Sequence, residues 1–312
     1  MRLGVLDIGS NSAQLQIVDV RPGAPPLPAH AVKEPTLLGE EILPDGSIGV
    51  DRLYPFATST VRDATNREDV VGRIQQVVGI RPQFLDGEQE SRLTYLAAHR
   101  WYGWSAGRLL LLDIGGGSME IALGRDADPD LALSLPLGAG RLTRAMLPHD
   151  PPKRSEVKEL RGYVRETLSE VVDRLRWESV PRNVVATSKT FKQLARLAGA
   201  PPQRKGPFAR RTLTLKDIRD WIPRLARMSA AQRARLRGVS QPRARQILTG
   251  AVVAHAIMTA LGVDRLRVCP WALREGIMLR HLEAHAHGSV DLPLQPLVRL
   301  DRQDASVTSL RP

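Results

Sequence analysis

Leu109-Leu110-Leu111-Leu112-Asp113-Ile114-Gly115-Gly116-Gly117-Ser118-Met119-Glu120 reads as an apolar strand, an acid, a glycine turn and a returning strand that opens on a second acid. A twin stands earlier in the chain, Leu3-Gly4-Val5-Leu6-Asp7-Ile8-Gly9-Ser10-Asn11-Ser12, again with a strand-like run, Leu15–Val20, behind it. In each copy the carboxylate can hold a cation, while glycine lets successive backbone N–H groups curl around an oxyanion. The copies are 106 residues apart, which implies two related half-molecules facing each other across a phosphate-filled cleft. In the later copy, Asp113 and Glu120 bracket the turn and can converge on one Mg²⁺, an ion that takes few protein ligands and keeps most of its waters. A plain hairpin turn is the competing reading.

At 312 residues and 34.4 kDa the chain is long enough for two domains with full cores. It contains no apolar run near the roughly 20 residues that cross a bilayer. The sequence enters a strand at once, without the basic-then-apolar pattern of a signal peptide, and has a single cysteine, Cys269. A cytoplasmic protein with no disulfide framework and no membrane partner is expected. The 45 Lys and Arg outnumber the 33 Asp and Glu, for a net charge of +12, a field that attracts polyanions. An arginine-biased composition accounts for the same excess without any partner. An aromatic content of 4% argues against a base-stacking platform, and no nucleic-acid-binding signature is present, so no specific nucleic acid is expected.

Strands alternate with helical periodicity along the chain, the pattern of an α/β fold. Residues 82–85 read as a short strand, 88–102 as a helix, and 109–114, 118–124 and 130–135 as strands. A helix follows over 152–180, then a strand over 183–187 entering a helix at Lys189. Helices are expected over 214–228, 244–261 and 272–281, with a strand at 265–268 before the last. Two domains are expected, residues 1–94 and 95–287, followed by a frayed tail over 288–312 that shows no sustained period.

Four segments carry candidate chemistry. In Ala57-Thr58-Ser59-Thr60-Val61-Arg62-Asp63, Arg62 has the planar fork suited to phosphate, though it can equally pair with Asp63 or Glu68. In Asp86-Gly87-Glu88-Gln89-Glu90-Ser91-Arg92-Leu93, Glu88 can pair with Arg92 one turn on, whereas Glu90 shares a face with Leu93 and Ala97 and is aimed inward. An inward carboxylate near a helix N-terminus serves either the helix dipole or a general base. Gly138-Ala139-Gly140-Arg141 and Thr187-Ser188-Lys189 each open a helix and offer N–H groups to an anion, or are ordinary caps. Cys269 reads as buried filler rather than a nucleophile, and His281, His285 and His287 sit at a helix end without the closure a metal needs.

Taken in order, DIGSNS, ATSTVRDATN, GEQESRL, DIGGGSME, ATSKT and ALREG resemble the exopolyphosphatase/guanosine pentaphosphate phosphatase family, from Asp7 to Gly276. The resemblance implies two ribonuclease H-like domains of the actin-like ATPase superfamily around a phosphate-binding cleft, in the short two-domain form. It implies Mg²⁺-dependent release of terminal phosphate from inorganic polyphosphate or guanosine pentaphosphate, with Mn²⁺ as an alternative ion. By position, Glu90 would activate water, and Asp113 and Glu120 would hold the metal, Glu120 through a water. Asn11, Arg62, Gly116, Gly117 and Ser118 would bind phosphates, with Gly140, Ser188 and Lys189 as further candidates. Lys189 stands where many members have glycine. A homodimer is compatible with this reading.

Three other functions compete: guanosine pentaphosphate phosphatase, an actin-like ATPase or sugar kinase, and a non-catalytic polyphosphate- or nucleic-acid-binding protein. The chain also departs from the family. Only seven residues, Gly49 to Pro55, separate Ile48 from Phe56, where members carry a helix. The first domain is therefore expected to lack that helix between residues 48 and 56, and either to expose apolar surface or to gain a compensating contact.

Overall fold

A computed structural model describes residues 2–9, 12–19, 28–34, 52–177, 181, 183–287, 292–295 and 297–298. The elements in chain order are β1 (Arg2–Gly9), β2 (Ser12–Asp19), β3 (Pro28–Glu34), β4 (Arg52–Ala57), α1 (Ser59–Arg62), α2 (Arg67–Val78) and β5 (Gln83–Phe84). Then come α3 (Gly87–Tyr102), β6 (Leu109–Ile114), β7 (Met119–Gly124), β8 (Leu131–Leu135), α4 (Ala139–Met146), α5 (Arg154–Trp177), β9 (Asn183–Ala186) and α6 (Ser188–Leu197). The chain continues through β10 (Thr212–Thr214), α7 (Leu215–Ala226), α8 (Ala230–Ala234), α9 (Ile247–Ala260), β11 (Arg265–Val268), α10 (Leu273–His287) and β12 (Leu297–Val298). No described helix is long and apolar enough to cross a membrane.

Two compact units emerge, Met1–Leu85 with His281–Pro312, and Asp86–Arg280. The division lies ahead of the 94/95 boundary expected from the repeats, because α3 belongs entirely to the second unit. Its Leu93, Leu96, Ala97 and Ala98 are buried, and Ser91 Oγ donates to the Ile121 carbonyl on β7.

The first unit holds a sheet in the order β12-β4-β1-β2-β3, with β5 also on β4. β1 and β2 are antiparallel with Gly9 opposite Ser12, and β1 and β4 are parallel. Of the segment expected to lack a helix, residues 52–56 are strand, and 48–51 lie outside the described residues. Of β4, Tyr54, Phe56 and Ala57 are buried. The Tyr54 hydroxyl is hydrogen-bonded to Nδ1 of the fully buried His281.

Two expectations about the chain's end are corrected with it. α10 runs six residues past 281, so His281 is a packed side chain rather than one at a frayed end. Within 288–312, β12 pairs antiparallel with β4, and Gln83 and Gln295 exchange side chain-to-backbone hydrogen bonds. A two-residue strand held by a partner more than 200 residues away leaves no local pattern to read.

The second unit's sheet runs β10-β11-β9-β6-β7-β8. Strand alternation sorts the Leu109–Ile114 run between two cores. Leu110, Leu112 and Ile114 face the large cluster containing α5, α6, α7 and α9, whereas Leu109 and Leu111 face Tyr95, Leu96, Ala97 and Ala98 of α3. α9 is apolar around much of its circumference (ILTGAVVAHAIMTA) and accordingly forms the centre of the helical layer. Of the helix expected over 214–228, Thr214 is the last residue of β10 and caps α7 in a reciprocal pair with Asp217.

Candidate active site

Asp113 follows Leu109 and Leu111 on the α3 side of the sheet, and its register brings partners to it. Asp113 lies opposite Glu120, and Glu120 opposite Ser134, across β6, β7 and β8. Residues directly opposite in antiparallel strands share a face, so these side chains form a row at the end of the sheet. The Ser134 hydroxyl donates to Glu120 Oε1 at 3.1 Å, and the Thr187 hydroxyl donates to Asp113 Oδ2 from the other side.

Glu90 joins the row from α3 and is 5% exposed. Asp86 and Gln89 form a capping box that fixes where α3 begins. Gly276 on α10 fixes where it lies: a methyl group there would overlap the Leu93 carbonyl, so only glycine permits this approach. That gives the ALREG motif a packing role. Glu88, by contrast, is exposed and paired with Arg92 at 2.8 Å.

The electrostatics follow from burial. Burial raises the Asp113 carboxyl to about 6, against hydrogen bonds from Thr187 and Ser188 and the charges of Lys192 and Arg243. Glu120 is pushed well above the usual carboxylate range, first by burial and then by the charges of Glu90 and Asp113, with Ser118 and Ser134 opposing. Three carboxylates thus share one poorly hydrated place. Among the described residues no group of three or more His, Cys, Asp or Glu forms a metal-holding cluster by itself. A cation using one or two carboxylates plus water and phosphate oxygens nevertheless fits this donor set.

The glycine turn is braced from behind. Ala139 N–H donates to the Gly115 carbonyl at 3.0 Å, Arg141 N–H to Gly116 at 2.8 Å, and Arg141 Nε to Gly117 at 2.8 Å. In a trans peptide the C=O and the next N–H point opposite ways, so the N–H groups of Gly116, Gly117 and Ser118 are turned away from the brace. The sequence expects these N–H groups to form an anion nest. The second glycine turn, read from its sequence as an anion seat, also supports the first. Two of the N–H groups that open α4 are spent on the first turn's carbonyls. Gly138 must approach so closely that a side chain there would overlap the Gly117 backbone, and Gly140 lies against the Gly116 carbonyl.

Ser188 opens α6 at φ 69°, the left-handed region, which is rare for a residue with a side chain. Lys189 is half-buried in the first turn of α6. Two cations that sequence reasoning missed have their charges near Asp113. Lys192 donates to the Pro270 carbonyl at 3.1 Å, and burial lowers its pKa, opposed by Glu275 and Asp113. Its spacing of four from Ser188 on one helix was the available signal. Arg243 is likewise lowered by burial and raised by Asp113, and its buried Nη1 has no hydrogen-bond partner among the described residues. No local pattern marked Arg243.

Of the remaining sites, Arg62 is in the first unit, where Nη1 donates to the Leu85 carbonyl at 2.6 Å and Nε pairs with Asp63 at 3.1 Å. Asn11 lies outside the described residues. Cys269 is buried and its thiol is pushed up to about 12 by burial, as suits filler.

Comparison with known proteins points the same way. The profile of the Ppx/GppA phosphatase family matches residues 43–285. Exopolyphosphatase 1 of Mycobacterium tuberculosis is 49% identical over 311 residues, covering 93% of this chain and 90% of that protein. The crystal structure of the Aquifex aeolicus Ppx/GppA family member is 27% identical with a TM-score of 0.74, covering 92% of this chain and 99% of that one. The crystal structure of an exopolyphosphatase from Cytophaga hutchinsonii, 22% identical over 91% of this chain and 98% of that one, shares the fold at a TM-score of 0.78.

Proposed function

The chain belongs to the Ppx/GppA phosphatase family, and from that premise we propose that it is an exopolyphosphatase, a phosphoanhydride hydrolase that releases terminal phosphate from inorganic polyphosphate. The observation that carries the reading is the convergence of Glu90, Asp113 and Glu120 beside the braced Gly115–Ser118 nest.

Phosphoryl transfer needs positioning and charge neutralisation more than covalent chemistry. The N–H groups of Gly116, Gly117 and Ser118 hold non-bridging oxygens of the terminal phosphate. Lys192 and Arg243 offset its charge, with Lys189 and Ser188 at the N-terminus of α6. Glu90 accepts the proton of the attacking water at its carboxylate. Water oxygen bonds to the terminal phosphorus, the bridging P–O bond breaks, and the polymer leaves one phosphate shorter. Asp113 and Glu120 would hold Mg²⁺ or Mn²⁺, which supplies Lewis-acid polarisation of the phosphate oxygens. Arg62 and Asn11 are proposed as phosphate ligands from the family resemblance. A cytoplasmic location completes the reading.

Phosphate release from polyphosphate of defined length and from guanosine pentaphosphate, each with and without Mg²⁺, tests it. Metal-dependent release from polyphosphate is expected. Release from guanosine pentaphosphate alone would replace the substrate, and release from neither would remove the proposal.

A further inference from the structure

Phe208 is the more exposed of the two large exposed hydrophobic side chains among the described residues, at 77%. It is held there by design of the loop. Arg211, near Arg204, Lys205 and Arg210 in sequence, is only 8% exposed. Its guanidinium instead donates to four carbonyls of its own loop, Pro201 at 3.0 Å, Pro202 at 2.7 Å, Gly206 at 3.1 Å and Ala209 at 2.9 Å. One buried cation thereby satisfies the loop's carbonyls and fixes its shape. One face of Phe208 stacks on Trp101, with centroids 5.3 Å apart and planes at 25°, and Trp101 is itself packed edge-on against Trp271. Arg204, Lys205 and Arg210 on the same loop are exposed.

We propose that this loop is a binding platform for single-stranded nucleic acid, recognised without sequence specificity: Phe208 stacks a base, and Arg204, Lys205 and Arg210 take the flanking phosphates. A rigid exposed ring beside several cations is the combination that single strands select, since every base has a π-face and the backbone is anionic. Polyphosphate alone would use the cations and leave the ring idle. A membrane needs more apolar surface than one phenyl ring among cations. A second copy docking through this face would bring like charges together. The whole-chain aromatic content of 4% argues the other way, but composition does not register aromatics gathered in one place. The platform stands whether or not the proposed polyphosphate hydrolysis is correct.

Fluorescence anisotropy of the full chain with a labelled single-stranded RNA of about a dozen nucleotides tests the proposal. Salt-sensitive binding is expected, with Phe208→Ala weakening it about fivefold or more. Reversal of Arg204, Lys205 and Arg210 to Glu should abolish it. Phe208→Ala should leave phosphate release and the melting temperature unchanged, because the ring is exposed. Single-stranded DNA of the same length should bind comparably, and a duplex more weakly. No binding at physiological salt overturns the proposal, as does binding indifferent to Phe208. Phe208-dependent self-association in sedimentation, or Phe208-dependent capture by anionic vesicles in place of RNA, would overturn it too.

Discussion

The two repeats share a plan and differ in how far strand pairing runs toward the Gly/Ser motif. Both run antiparallel through three strands and then add a parallel fourth beside the first, β4 on β1 and β9 on β6. In the first repeat, strand pairing continues up to Gly9 and Ser12. In the second, pairing stops at Ile114 and Met119, leaving the four residues 115–118. The route to the fourth strand differs more. β8 reaches β9 through α4 and α5, and α4 is what braces the Gly115–Ser118 turn. β3 reaches β4 across residues 35–51. What the second repeat shows is a glycine turn whose carbonyls are tied down by the start of α4.

If the second repeat carries the chemistry, Asp113→Asn should lower phosphate release by at least about 10²-fold, the scale of losing a charged group aimed at the transition state. The same change should stabilise the metal-free protein. Because the folded pKa of about 6 lies above the ordinary 3.8, the native state binds more protons than the unfolded state between those values. Stability therefore falls as pH rises through this window, and the cost is full above about 6. Removing the charge should recover up to about 3 kcal/mol at pH 7, and metal-free wild type should itself gain stability from pH 7 to pH 5. Urea titrations at both pH values check this.

Gly138→Ala, which pushes the brace off the Gly117 backbone, should reduce turnover about tenfold, the scale of a small misplacement of binding groups. Asn11→Ala in the first repeat should cost less. Equal effects would remove the asymmetry between the repeats. Gly276→Ala should destabilise by about 1–3 kcal/mol through overpacking against α3, and turnover should fall with it as Glu90 shifts. The smallest effect concerns the short crossover. Inserting a relative's helix between β3 and β4 should add about 0.5–2 kcal/mol, and no gain would show that the Tyr54–His281 contact already compensates.

Much of this was written locally. The Leu109–Leu112 run, the Gly-Gly-Gly turn and the inward spacing of Glu90, Leu93 and Ala97 are neighbours in sequence, and the structure buries these three residues together. The Glu88–Arg92 pair is equally local. What escaped depends on partners far along the chain: Tyr54 with His281, β12 on β4, and Arg243 beside Asp113.

The central claim is that Glu90 is the base of a site built in the second repeat. Phosphate release from polyphosphate of defined length by Glu90→Gln and Glu88→Gln, side by side with Mg²⁺ present, tests it most directly. The account predicts a loss of at least about 10²-fold for Glu90→Gln, with polyphosphate binding barely altered. For Glu88→Gln it predicts a change below about threefold, because only an exposed ion pair is removed. Equal losses in the two variants, or near-normal turnover by Glu90→Gln, would contradict it.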